Sequence, residues 1–82
     1  MQKILYFGRL SDVTGCQEER LEIPADIETA GALRNWLDKR YGAGGVLLDP
    51  TVRIALDNEI IFDGAPLHAA SEIAFMPPVG GG

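Results

Sequence analysis

Only one stretch of this chain carries a helical period, and that limits what the rest can build. Between residues 29 and 41, Leu33, Trp36, Leu37, Arg40 and Tyr41 recur at three-four spacing, with Arg34, Asn35, Asp38 and Lys39 on the other side. The pattern predicts an amphipathic helix whose Leu33–Leu37 side packs on a core and whose Arg34–Asp38 side faces water. Thr29 is placed to cap it, because its hydroxyl can accept from a free backbone N–H of the first turn. Gly42 suits the position just past the end, and Lys39 and Arg40 sit where the helix dipole favours cations. Gly31 costs ~1 kcal/mol against Ala in a helix, which points to a close approach at that position. One helix covers one face of a sheet and no more.

The remaining segments read as short strands. Residues 2 to 8 are largely apolar up to Gly8, with Ile4 and Tyr6 facing one way and Leu5 and Phe7 the other. Residues 9 to 16 hold Ser11-Asp12 and Thr14-Gly15, a connection with room for a helical turn. Residues 17 to 23 alternate and stop at Pro24, as an antiparallel edge or hairpin strand would. Residues 42 to 50 are a glycine-containing loop; no Gly-Lys-Ser/Thr follows, so it is not a phosphate cradle. Val52, Ile54 and Leu56 are in phase on a further strand, Asp57-Asn58 makes a turn, and Glu59 to Phe62 return. Glu72 to Met76 form the last strand, ended by Pro77-Pro78, neither of which can donate to a ladder. A hairpin, one helix across a sheet and then returning strands is the β-grasp pattern, an α+β fold that ubiquitin shares. The expected architecture is a mixed sheet with one main helix across one face, residues 1–76, followed by an extended tail, 77–82.

The strand faces supply more apolar side chains than one helix can cover. Ile73 and Phe75 oppose Ala74 and Met76 on the last strand, and Ile60 and Phe62 add to the surplus. Exposed apolar surface of this kind in a small protein marks an interaction site. Phe7, Ile60, Phe75 and Met76 are the expected partner interface.

Composition removes several classes of function. Seven Lys and Arg against twelve Asp and Glu give a net charge of −5, with no basic run beyond Lys39-Arg40. Nucleic-acid binding by counterion displacement and attraction to an anionic membrane both need the opposite balance. One cysteine, Cys16, allows no internal disulfide, and with the single histidine, His68, it is too little for a structural zinc site. The 82 residues leave little room for a deep pocket beside a core, and no nucleophile–base pair is apparent. No secretory leader and no apolar run of membrane-spanning length is seen, so the expected location is the cytoplasm.

The most informative segment is Phe75-Met76-Pro77-Pro78-Val79-Gly80-Gly81-Gly82. From Pro77 onward it can extend at most roughly 20 Å. The prolines stiffen its base toward polyproline II, and glycines without side chains can enter a narrow channel. The chemical group at the tip is the α-carboxylate of Gly82. Such a carboxylate can be handed to another protein's active site, attack ATP at phosphorus and become an acyl-adenylate that a sulfur or nitrogen nucleophile then takes. A flexible tail with no role is the alternative.

This ending resembles the Phe-Phe-Pro-Pro-Val-x-Gly-Gly terminus of the small, sulfur-carrier subunits of molybdopterin synthase, a ubiquitin-like family. Lys3-Ile4-Leu5-Tyr6-Phe7-Gly8 resembles the family's opening strand, Thr29-Ala30-Gly31-Ala32-Leu33 its helix start, and Ala55-Leu56-Asp57-Asn58 its Ala-Val-Asn turn. Ala69-Ala70-Ser71-Glu72 departs from the family's Asp-Gly-Asp-Glu, and Gly80 stands where Thr is frequent. The resemblance implies that an E1-like adenylating enzyme activates Gly82 with ATP and that a sulfur donor protein converts the adenylate to a thiocarboxylate. It further implies that Pro77, Pro78, Val79, Gly80 and Gly81 carry that group into the large catalytic subunit, where cyclic pyranopterin monophosphate receives the sulfur in two donations. On this reading the chain binds no cofactor, is not an enzyme on its own, and belongs to a heterotetramer of two small and two large subunits. A sulfur carrier for thiamine or cysteine synthesis and a ubiquitin-like modifier use the same activation and remain alternatives; Pro77-Pro78-Val79 weighs against them.

Overall fold

The computed structural model describes residues 2–67 and 72–78. Chain order is β1 (Gln2–Tyr6), α1 (Leu10–Thr14), β2 (Glu18–Leu21), α2 (Ala30–Tyr41), a 3-10 turn (Val46–Leu48), β3 (Arg53–Leu56), β4 (Glu59–Ile61) and β5 (Glu72–Met76). The strands form one sheet in the order β2-β1-β5-β3-β4. β1 and β5 pair in parallel at its centre, Ile4 opposite Ile73 and Tyr6 opposite Phe75. The other three pairings are antiparallel. The expected mixed sheet with one main helix is therefore present, and the connection after β1 does contain a short helix.

α2 begins and ends where its sequence signals lie. Thr29 has extended backbone and its side chain accepts from the Ala32 N–H at 3.2 Å. Gly42 closes the helix with its N–H directed to the Asp38 and Lys39 carbonyls. Gly31 meets the approach its cost foreshadowed: a Cβ there would lie 3.2 Å from both Cβ and the carbonyl oxygen of Asp63. The β3–β4 turn places Asp57 and Asn58 at φ 47° and 73°. Asp and Asn tolerate this region, and the two-residue turn matches the strand twist.

The core lies between α2 and one face of the sheet. Ala30, Leu33 and Leu37 of the helix and Ile4, Tyr6, Ile54, Ile73 and Phe75 of the strands are all buried there. Tyr6 stacks on Phe75 with ring centroids 5.7 Å apart and meets Tyr41 edge-on at 6.1 Å. Such ring pairs contribute ~0.5–1.5 kcal/mol beyond the area they bury.

The helix faces differ from expectation. Arg34 and Asp38 are buried, Arg40 is exposed, and Trp36 and Tyr41 are only half-buried. The cause is the segment after α2, which folds back along the helix instead of running over open surface. Asp38 accepts from the backbone N–H of Gly45 and Leu47. Arg34 donates to the carbonyls of Leu47, Asp49 and Val52. Its Nε lies 2.9 Å from Asp63 Oδ1, a charge contact and not a directed hydrogen bond. Two charged side chains thus satisfy the backbone of a loop that could not otherwise be buried, and Leu47 enters the core with it.

Candidate functional site: the open sheet face and the base of the tail

The helix covers one face of the sheet, so alternate residues on every strand look the other way. Strand register defines that open face. Leu5 of β1 is paired with Ala74 of β5, Ala74 with Ala55 and Met76 with Arg53 of β3, and Ala55 with Ile60 of β4. Phe7 continues the alternation of β1, its N–H donating to the Phe75 carbonyl at 3.0 Å. Phe7 is 47% and Ile60 62% exposed, while Leu5 and Met76 are half-buried. Ala55 and Ala74 are small enough to be shadowed by these neighbours and are buried. Lys3 and Glu18 border the patch as an ion pair at 3.9 Å.

Three of the four expected interface residues, Phe7, Ile60 and Met76, thus share one apolar face, the one that α2 does not cover. Phe75 does not belong with them. It is fully buried in the core beneath α2. The period-two alternation that brings Met76 to the open face turns its neighbour Phe75 inward. Phe62, just past β4, is 73% exposed and extends the supply of apolar surface at that edge.

Parallel pairing with β1 puts the end of β5 beside the end of β1. Pro77 and Pro78 therefore leave the sheet next to Phe7 and Gly8, and on the other side they share a groove with Pro50, Thr51 and Arg53. Both prolines are half-buried. Val79, Gly80, Gly81 and Gly82, to which the carrier chemistry is assigned, lie outside the described residues, as does His68. Cys16 is half-buried, with Sγ 3.9 Å from Thr14 Oγ1.

One cluster escaped sequence reasoning. Glu19 of the edge strand shares the parity of Leu21 and turns inward. Its Oε2 accepts from the Tyr6 hydroxyl at 2.7 Å and from the Tyr41 hydroxyl. Burial, and after it the Glu19 carboxylate, pushes the Tyr6 hydroxyl well above the usual tyrosine range. Burial and then the hydrogen bond to Glu19 raise Tyr41 to about 12, against an opposing effect of Arg40. The cluster ties β1, β2 and the end of α2 together on the covered side, away from the open face. The parity of Glu19 with Leu21 and Ile23 was the available signal.

A mixed five-stranded sheet with a central parallel pair, crossed on one side by a single helix, defines a ubiquitin-like β-grasp protein. Solved structures share this fold: a putative molybdopterin converting factor, subunit 1, from Pyrococcus furiosus has a TM-score of 0.77 at 24% identity, over 94% of this chain and 95% of that one. SAMP1 from Haloferax volcanii has a TM-score of 0.77 at 23% identity, over 99% and 98%. The chain belongs to the ThiS family, whose model matches residues 4–82. It is 32% identical to the molybdopterin synthase sulfur carrier subunit of Escherichia coli (strain K12), each chain being covered in full. It is likewise 32% identical to the subunit of that name from Caenorhabditis briggsae, over 98% of this chain and 95% of the relative.

Proposed function

We propose that this chain is the sulfur carrier subunit of a molybdopterin synthase. The observation that carries the reading is its end-to-end likeness to two proteins of that name, at 32% identity each. The Pro77-Pro78-Val79 run ahead of the terminal glycines supports it over the other carrier pathways.

In this reading the Gly82 carboxylate attacks the α-phosphorus of ATP held by an E1-like enzyme. Pyrophosphate leaves and an acyl-adenylate forms. A sulfide-level sulfur nucleophile supplied by a donor protein then attacks the acyl carbon, AMP leaves, and a C-terminal thiocarboxylate remains. The tail enters the large subunit, which supplies the catalytic residues, and gives up its sulfur to cyclic pyranopterin monophosphate; two such donations build the dithiolene. The open face, with Phe7, Ile60 and Met76, docks on the large subunit and so aims the tail. ATP belongs to the activating enzyme and no resident cofactor takes part here.

The test is the intact mass of the protein after incubation with an E1-like enzyme, ATP and a sulfur donor. The expected result is a gain equal to the exchange of one oxygen for sulfur, located on Gly82. Deleting Gly82 withdraws the carboxylate by ~3.3 Å and should abolish the gain, since ~1 Å of misplacement already costs about a hundredfold in rate. Cys16→Ser should keep it, because the sulfur rides on the carboxyl terminus. Stable lysine conjugates with no thiocarboxylate form would sink the reading in favour of a protein modifier.

A further inference from the structure

We infer that Gly8 is a positioning residue for the C-terminal tail: by lacking a Cβ it seats the Pro77 ring and so sets the direction in which the chain leaves the sheet. The inference rests on the carrier reading above, for which that direction matters.

Gly8 sits where β1 ends and α1 is about to begin, at φ 55°. It cannot easily move. On one side the Phe7 N–H is tied to the Phe75 carbonyl at 3.0 Å, and on the other the Ser11 N–H and hydroxyl both donate to the Gly8 carbonyl, at 3.2 and 2.9 Å. A Cβ built on Gly8 would stand 3.0 Å from Pro77 Cγ and 3.8 Å from Pro77 Cδ. Those atoms belong to a ring closed on the backbone, so Pro77 cannot swing them aside as a flexible side chain would. What a change of ring pucker does not relieve falls on the backbone at the base of the tail.

The opposite flank is also occupied. Pro77 and Pro78 share their groove with Pro50, Thr51 and Arg53, which lead into β3. The base of the tail therefore lies in a slot between β1 and β3, continuing the position of β5 between them. Two consecutive prolines hold φ near −65° and carry any tilt of the base outward.

The experiment is a double-mutant cycle of Gly8→Ala and Pro77→Ala, read by residual dipolar couplings of the Cα–Hα bonds at residues 77 and 78. Gly8→Ala alone should change these couplings while leaving those of β1, β3 and α2 as they were. In the Pro77→Ala background, where the obstructing Cγ is gone, adding Gly8→Ala should change nothing further. The strain of a left-handed alanine is common to both backgrounds and so cancels. With the activating enzyme, Gly8→Ala should raise the KM for the carrier about tenfold, the cost of a competent population reduced to about a tenth, with kcat held. Couplings at 77 and 78 that match the wild type, or that change equally in both backgrounds, would overturn the inference. Should Gly8→Ala not fold, its folding in the Pro77→Ala background decides: recovery of the fold there supports the seat, and failure in both backgrounds refutes it. If the wild type forms no thiocarboxylate the carrier reading fails, while the couplings still decide the role of Gly8.

Discussion

The two faces of the sheet are built from the same strands, residue by alternate residue, yet they have opposite fates. Beneath α2, Ile4, Tyr6, Ile54, Ile73 and Phe75 are sealed in the core. On the other side Leu5, Phe7, Ile60 and Met76 form a comparable apolar set that α2 does not cover and that is half-buried or exposed among the described residues. Stability cannot explain the second set, because burial is what makes an apolar side chain stabilising. The contrast teaches that one face holds the fold together, while the other is free for the docking role proposed above.

The largest effect should come from attacking the covered face. Phe75→Ala should cost about 3–5 kcal/mol of stability, seen as a fall in denaturant midpoint. A loss far smaller than that would break the distinction between the faces. On the open face, Phe7→Asp and Met76→Asp should leave the midpoint largely unchanged. Each should instead weaken binding to the large subunit by about 1.5–3 kcal/mol, readable by titration calorimetry. Unchanged affinity in both variants would remove the open face from the interface.

Smaller changes sharpen the picture of the covered side. Thr29→Ala removes the cap of α2 and should cost ~1 kcal/mol, with partner affinity unaffected once the protein is folded. The smallest effect is a pH dependence. Because folding raises the hydroxyl pKa of Tyr6 and takes that of Tyr41 from 10.0 to about 12, the folded state holds those protons more tightly. Their contribution is then complete below pH 10 and is lost as pH rises toward 12 and beyond. The melting temperature should fall across that window, and Tyr41→Phe should shallow the fall. A melting temperature that stays level in alkali would show that Glu19 does not hold both hydroxyls.

Much of this was legible without coordinates where the signal is local. A helix advertises its period and its caps, and Thr29 and Gly42 end α2 as their side chain and backbone freedom require. A strand advertises its two faces, and the parity of Phe7, Ile60 and Met76 located the open side. Phe75 was misassigned to the interface although its parity with Ile73 already pointed inward. The surplus of apolar residues and the proline-glycine ending were likewise readable as composition.

What local pattern could not supply was contact between segments far apart in the chain. Amphipathic spacing put Arg34 and Asp38 in water, and only the return of residues 43–52 along the helix showed that their charges satisfy buried backbone. The inward turn of Glu19 needed two tyrosines from other elements. The seat of Pro77 on Gly8 needed β1 and β5 to pair in parallel. The physical reason is the range of the forces involved. Periodicity and capping are fixed by backbone geometry within a few residues, so the sequence by itself determined the helix and the strand faces. Desolvation and close packing depend on what the folded chain brings alongside, so only the tertiary structure decided which charges are buried and that Pro77 lies against Gly8.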